Sequence, residues 1–247
     1  MDITFNGISK NEDAIVKMKV GQEPYQFYGY KTDGIYQNSE EAAQAGLTSV
    51  YNTRYQAGDV KFVNTHNQDN VINEQDKVLL GSTRPDYFGS VFSTLRFGKL
   101  SLSAQVNYSI GGKIYNAVRR QLESMENFHN QSTAVLNRWQ MEGQQTSMPR
   151  AVYGDPNGNN IFSDRWLEDA TYAKLGSLTL NYAIDMPKAD FIRSGNIWIS
   201  GENLFTWSHY LGNDPELSYS YNDFLYGIDY AKVPNPRSIK IGFNLNF

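Results

Sequence analysis

The segment Leu100–Ile110 alternates apolar and polar residues without interruption, and this alternation constrains the fold more than any other feature of the sequence. The apolar positions are Leu100, Leu102, Ala104, Val106, Tyr108 and Ile110, and the polar positions are Ser101, Ser103, Gln105, Asn107 and Ser109. Side chains of a β-strand point alternately to opposite faces of its sheet. The segment is therefore predicted to be a strand with one apolar and one polar face.

The same alternation recurs along the chain. The run Tyr87–Phe97 precedes this segment, and Gly98 between the two predicts a tight hairpin turn. Further alternating runs lie at 175–184, 196–207 and 238–247, and weaker ones lie at 2–9 and 25–36. The sequence thus predicts about seven strands, several close to the roughly 9 to 11 residues with which a tilted strand crosses a bilayer.

Composition removes several classes of protein. The 22 Lys and Arg residues against 26 Asp and Glu residues give a net charge of -4, which argues against nucleic acid as a partner. The chain has no cysteine, so a disulfide framework and a thiolate metal site are both excluded. Mean hydropathy is -0.54, and no run approaches the roughly 18 apolar residues of a membrane helix. Alternating strands of a membrane barrel also average to such a hydrophilic value.

The predicted connections alternate between short and long. Short ones lie at Gly98 and at 185–195, and long ones lie at 37–86, 111–174 and 208–237. Outer-membrane barrels have short periplasmic turns and long extracellular loops. The pattern therefore predicts an all-β fold, an antiparallel transmembrane β-barrel segment with long extracellular loops. Short helices are predicted in these loops at Ser39–Ala45 and within 113–142.

Several motifs carry a family resemblance. They are FYGYKTDGIYQ at 27–37, GDVK at 58–61 with DKVLLG at 76–81 and Pro85, RWLEDATYAKL at 165–175, GENLFT at 201–206 with Asp214, Pro215 and Glu216, and PNPR at 234–237 with Gly242 and Phe247. In order and spacing, they resemble the C-terminal third or quarter of SusC/RagA proteins. The resemblance covers nearly the whole chain.

The resemblance implies a 22-stranded barrel with an N-terminal plug in the outer membrane of Gram-negative, Bacteroidota-type bacteria. It also implies a SusD-like surface lipoprotein as partner and TonB as the energy-coupling partner. No segment resembles the plug or the TonB-contact box, and no export signal is visible after Met1. About seven strands are too few for a closed barrel, which needs at least about eight. Residues 1–247 are therefore expected to be the C-terminal part of the barrel. The plug and the other strands would then lie in missing N-terminal sequence or in a second polypeptide.

Two groups of residues are candidate functional sites. The resemblance implies that Phe243, Leu245 and Phe247 form the C-terminal signal read by the barrel assembly machinery; an ordinary edge strand is the alternative. Aromatic residues in the loops could stack on sugar rings or contact a partner, and membrane-girdle or loop-packing roles are the alternative. The candidates are Tyr51, Tyr55, Trp139, Tyr210, Tyr219 and Tyr221.

Metal and catalytic sites are not predicted. The segment 64–76 stands where relatives carry a calcium-like loop, but it lacks the glycine of the sharp turn and most carboxylates, so a plain polar loop is favoured. The three histidines, His66, His129 and His209, show no paired spacing. Two carboxylate pairs, Glu168 with Asp169 and Asp214 with Glu216, are expected to anchor loops rather than to form an acid–base pair. No cofactor is expected.

Three functions remain in competition. The first is import of oligomeric nutrients, glycan or peptide, by a SusC-like TonB-dependent transporter embedded in outer-membrane lipid. The second is a structural scaffold in an outer-membrane assembly without transport. The third is a carbohydrate-active enzyme, which would need two positioned carboxylates in a cleft. Import is favoured, and the chain is predicted not to be an enzyme.

Overall fold

The computed structural model describes residues 2–7, 12–66, 69–185, 194–216 and 225–247. The chain divides into two compact units. The sheet unit consists of Pro85–Gly112, Asp169–Glu216 and Val233–Phe247. The loop unit consists of Met1–Arg84, Lys113–Glu168 and Leu217–Lys232. The two units differ in strand length, because the long strands belong to the sheet unit and the short ones to the loop unit.

The described residues contain strands that we number along the chain. They are β1 Asp2–Phe5, β2 Val16–Lys19, β3 Gln26–Gly29, β4 Thr32–Ile35, β5 Val60–Phe62, β6 Val78–Ser82, β7 Tyr87–Phe97, β8 Leu100–Ile110, β9 Lys113–Asn116, β10 Leu167–Asp169, β11 Tyr172–Asp185, β12 Ser194–Ser208, β13 Ile228–Asp229 and β14 Ser238–Asn246. The α-helices are α1 Ser39–Ala45 and α2 Ala117–Glu123.

The sheet unit is a single antiparallel sheet in the order β14-β12-β11-β8-β7. Each strand pairs with the next long strand along the chain, as in an up-and-down meander. The β7–β8 hairpin turns at Gly98, whose φ of 59° favours glycine at the first central position of a two-residue turn. Among the described residues, the outer strands β7 and β14 each pair on one side only.

The five strong sequence predictions correspond to these five long strands. The two weaker ones do not join them. Residues 8 and 9 of the run at 2–9 lie outside the described residues, and its described part contributes β1, whereas the run at 25–36 contributes β3 and β4. These three strands have four residues each and belong to sheets of the loop unit. Phe27 of β3 is fully buried in a core. The predicted count of about seven barrel strands is therefore not confirmed.

The loop unit contains three small sheets. Their orders are β1-β2-β3-β6, β10-β9-β13 and β4-β5. Its two main cores combine aromatic and aliphatic residues, one around Phe27, Tyr115 and Trp166 and one around Tyr36 and Phe62. Both predicted loop helices are present, α1 with the predicted bounds and α2 inside the predicted range. The side chain of Asn38 caps α1 by accepting a hydrogen bond from the Glu41 amide at 2.8 Å.

In the described ranges, no helix has both the length and the apolar composition that crossing a bilayer requires.

Candidate functional site

The sheet unit carries an apolar face made of residues in register. Leu95, Leu102, Leu180, Ile199 and Ile241 form one row, with one residue from each strand. A second row on the same face contains Phe97, Leu100, Tyr182, Ile197 and Phe243. Exposure reaches 75% at Ile241 and 71% at Phe97 and Phe243. A continuous apolar surface of this kind marks contact with a membrane or with another protein.

The opposite face of the same sheet carries mainly polar side chains, although Phe88, Phe92 and Trp198 also lie on it. Thr94, Ser103, Thr179, Ser200 and Lys240 form a row on this face, next to the row that contains Leu95 and Ile241. Hydrogen bonds join hydroxyls within it, Thr94 to Ser103 at 2.9 Å and Thr179 to Ser200 at 2.7 Å. The sheet thus has one apolar face and one mainly polar face, as strands that surround a water-filled lumen do.

A buried lysine anchors the connection that follows β12. Lys174 in β11 approaches Glu216 at 2.5 Å and Asp214 at 3.7 Å. Glu216 also accepts a hydrogen bond from the Tyr172 hydroxyl at 3.1 Å, and Asp214 accepts one from the Asn235 amide at 3.2 Å. A buried cation is stable only when paired in this way. The two carboxylates are therefore loop anchors, as the sequence predicts.

The second carboxylate pair is likewise occupied by structural contacts. Glu168 is buried and pairs with Arg119 at 2.5 Å and with the Asn116 amide at 3.1 Å. Asp169 accepts a hydrogen bond from the Thr171 amide at 2.9 Å. A glycosidase needs two carboxyl groups that flank an open space for the sugar. These residues lack that arrangement.

Asp59 is the centre of a buried polar cluster in the loop unit. Its carboxylate accepts hydrogen bonds from Nε and Nη2 of Arg150, at 2.8 and 3.1 Å. It also accepts from the Asn159 side chain at 3.0 Å and from the Asn157 side chain. The Gln56 amide donates to the same carboxylate at 2.8 Å. This single aspartate of the GDVK motif therefore holds together segments that are far apart in the sequence.

Asp155 is a second buried carboxylate in this region. It accepts hydrogen bonds from the amides of Asn159 at 2.7 Å and Asn160 at 2.9 Å. Burial raises the pKa of Asp155 to about 6, because the hydrogen bonds from the two backbone amides offset only part of the cost of removing the charge from water. Sequence reasoning noted Asp59 only as part of the GDVK motif and overlooked Asp155. The signal for Asp155 was the density of Asp and Asn in 155–160.

The degraded calcium-like segment is organised by hydrogen bonds to backbone amides. The buried carboxylate of Asp76 accepts from the amides of Thr65 at 2.8 Å, His66 at 3.1 Å and Asn73 at 2.9 Å. Asp69 accepts from the Val71 amide at 3.0 Å. Within the described residues, no three His, Cys, Asp or Glu side chains are grouped as metal ligands would be. The three histidines are all exposed.

The six aromatic candidates occupy different environments. Tyr51 is 44% exposed, whereas Tyr55 and Tyr210 are buried. Trp139 is partly buried and donates its indole N–H to the Gln37 carbonyl at 3.0 Å. Tyr219 and Tyr221 lie outside the described residues. Contact with a ligand or partner stays a prediction, and of the four candidates that the structure describes Tyr51 has the most exposed side chain.

The predicted C-terminal signal lies on the apolar face of the outer strand β14. Phe243 and Leu245 belong to the strand, and Phe247 follows it directly. Phe243 and Leu245 are in register with Ile197 and Gly195 of β12. These side chains are exposed in the sheet unit, so they are accessible to a recognising partner.

The chain is similar to curated TonB-dependent receptors of one bacterium. It is 27% identical over 237 residues to TonB-dependent receptor P26 of Formosa agariphila, which covers 94% of this chain and 23% of that protein. It is 25% identical over 239 residues to TonB-dependent receptor P3 of the same organism, which covers 93% of this chain and 23% of that protein. The chain thus spans about a quarter of the length of these relatives. No family model matches it.

Solved structures show the same fold. The structure of the RagAB peptide transporter matches with a TM-score of 0.74 at 20% identity and covers 94% of this chain and 24% of that chain. The RagAB peptide importer in its open-open state matches with a TM-score of 0.73 at 19% identity and covers 100% of this chain and 24% of that chain. At 19% to 20% identity, the similarity establishes the fold alone.

Proposed function

We propose that residues 1–247 form the C-terminal part of a SusC/RagA-type, TonB-dependent barrel that imports oligomeric nutrients. The motifs that resemble this family, the curated TonB-dependent receptors to which the chain is similar, and the fold shared with RagAB support the proposal. The observation that carries the proposal is the two-faced sheet. Its apolar rows would face outer-membrane lipid, and its polar rows would face the lumen and the plug.

The rest of the barrel would come from sequence outside this chain. The outer edges of β7 and β14 are unpaired among the described residues, and an open sheet edge is not tolerated in lipid. Further strands must therefore complete the hydrogen bonding, up to the 22 strands that the family resemblance implies. The plug domain and the TonB contact would belong to the same missing part.

The orientation follows from the connections. Gly98, Asp185 and Ser194 lie at one end of the sheet, and the strand ends at which the long connections begin or end, Tyr87, Ile110, Tyr172 and Ser208, lie at the other. Barrels of this kind have short turns on the periplasmic side. The loop unit would then be extracellular, where it could contact a SusD-like lipoprotein. The structural similarity to the RagAB peptide transporter supports such a system, in which the proposed cargo of this chain is an oligomeric glycan or peptide.

The C-terminal residues would serve in assembly. Phe243, Leu245 and Phe247 present an apolar, aromatic ending on the strand that closes the sheet, which suits recognition by the assembly machinery. We further propose that the chain is not catalytic, because the candidate carboxylates Glu168, Asp214 and Glu216 are all engaged by cations.

Single cysteines in the complete protein test the two-faced sheet, after replacement of any cysteine that lies outside this cysteine-free chain. Ile199→Cys and Ser200→Cys place a thiol on adjacent residues of β12 that face opposite ways. We expect a fluorophore at position 199 to be quenched by brominated lipid and the thiol at position 200 to react with a charged maleimide. Equal, fast reaction of both thiols with the charged reagent would contradict the membrane assignment.

Import is tested in the native host. A strain that lacks the complete gene should lose growth on the imported polymer, and a copy without the TonB-contact box should fail to restore it. Restoration by that copy would favour the scaffold function over import.

A further inference from the structure

The loop unit contains a cavity of about 400 Å³ beside the exposed Tyr51. Its apolar lining includes Ile72, Ile161 and Phe162, which are all buried. Polar side chains of Asn52, Asn73, Glu74 and Lys77 also line it. Pockets for small ligands combine an apolar lining with a few placed polar groups in this way. None of the residues described above on the two faces of the sheet, and neither of the carboxylates Asp214 and Glu216, lines this cavity.

The polar side of the cavity is held in place by buried partners. The Glu74 carboxylate, whose side chain is 73% exposed, accepts from the Tyr30 hydroxyl at 3.3 Å and pairs with the Lys77 ammonium at 2.8 Å. Lys77 is buried and also donates to the Asp13 carbonyl at 2.9 Å. A carboxylate has about four acceptor positions, so Glu74 can accept further hydrogen bonds from a ligand without rearranging.

Charge limits the class of ligand. Asp13 and Glu74 contribute two negative charges to the lining and Lys77 contributes one positive charge, which leaves one net negative charge. The ammonium of Lys77 is already engaged by Glu74 and by a backbone carbonyl. An anionic ligand such as a uronate, a sulfate ester or a peptide carboxylate would therefore be repelled.

The backbone around the cavity disfavours a peptide. Extended peptides are usually bound by addition to an open strand edge. None of the residues that line this cavity belongs to one of the strands β1 to β14. Side-chain amides, a carboxylate and an exposed tyrosine ring are instead suited to a ligand that has many hydroxyl groups and an apolar ring face.

We propose that this cavity binds one ring of a neutral saccharide, stacked on Tyr51 and hydrogen-bonded through its hydroxyl groups to Glu74 and Asn52. The identification of that saccharide as imported cargo rests on the proposed function, whereas its binding does not. The ring of Tyr51 supplies an apolar platform at the exposed side of the cavity, and Glu74 supplies acceptors in a fixed position.

Saturation-transfer NMR on the purified complete protein tests this binding. The probes are glucose, galactose, mannose, xylose and N-acetylglucosamine at millimolar concentration, with glucuronate, glucose 6-sulfate and trialanine amide for comparison. We expect at least one neutral sugar to give a signal that titrates. Tyr51→Ala should raise its apparent dissociation constant about tenfold, because the stacking surface is lost. Glu74→Gln should weaken binding of the neutral sugar and improve the relative binding of glucuronate.

The matched control is Tyr153→Ala, which removes an exposed tyrosine of the loop unit that does not line the cavity. This variant should bind like the parent. Absence of a signal from all five neutral sugars, a signal that Tyr51→Ala leaves unchanged, or preferred binding of the anionic sugars or the peptide would overturn the proposal. If the unmodified protein binds the sugar but does not import it, the proposed import function is contradicted and the proposed binding site is not.

Discussion

In the sheet unit, Phe97, Ile241 and Phe243 are largely exposed, whereas in the loop unit the carboxylates of Asp59 and Asp76 are completely buried. The two units of one chain therefore follow opposite rules for what faces outward. Soluble folds bury apolar side chains and pair any charge that they bury. The loop unit follows this rule. The sheet unit departs from it mainly on one face, although Phe88 and Phe92 are exposed on the other. A departure of this kind is expected where lipid replaces water as the neighbouring medium.

The largest expected effect comes from a charge on the apolar face. Leu180→Arg puts a cation in the middle of the row that contains Leu102 and Ile199. An arginine at the bilayer midplane costs about 2 to 4 kcal/mol in a barrel. We expect the complete protein to disappear from the outer-membrane fraction, as measured by immunoblotting and by heat-modifiable migration in gels.

Asn181→Arg is the matched control, because the neighbouring residue points to the polar face. It should assemble at near-normal amounts. Similar loss of both variants would show that the two faces do not differ in their surroundings.

A smaller effect is expected from the buried cluster in the loop unit. Asp59→Asn removes the charge that pairs with Arg150 and weakens the contacts to Asn157 and Asn159. Breaking one side of a buried ion pair typically costs about 3 to 5 kcal/mol. Amide hydrogen exchange should therefore accelerate around Gln56 and Val60, while exchange in the long strands of the sheet unit stays unchanged.

Asp33→Asn is the control for this experiment. Asp33 is exposed and has no ion pair among the described residues, so the same substitution there should change stability by less than about 0.5 kcal/mol. Faster exchange in both variants would mean that removal of a charge, and not loss of the buried pair, is responsible.

The sheet unit and the loop unit also differ in how much of their structure could be predicted from the sequence. Period-two alternation is a local signal, and it predicted β7, β8, β11, β12 and β14 because each strand repeats its pattern over many residues. The helix Ser39–Ala45 was also predictable from a local signal, since its acidic first turn lies beside its capping residue.

The loop unit was less predictable because its stabilising contacts join distant residues. Asp59 and Arg150 are 91 positions apart, and nothing in either local sequence indicates the other. The candidate Tyr55 illustrates the same limit. Its type suggested a contact surface, but the ring is packed beside Tyr36 and Phe62 in a core that other segments complete. The pocket beside Tyr51 depends on such long-range folding too.

The smallest effect is a pH dependence confined to the loop unit. Burial raises the pKa of Asp155 from 3.8 to about 6, so the folded protein holds this proton more tightly than the unfolded chain does. The stabilisation due to this proton is fully present below about pH 4 and is lost as the pH rises through about 6. A shift of about two units corresponds to at most about 3 kcal/mol. Amides of Asn159 and Asn160 should therefore exchange faster at pH 7 than at pH 5, after correction for intrinsic rates. Asp155→Asn, which cannot titrate, should flatten this dependence, and a persistent slope in that variant would assign the effect to another group.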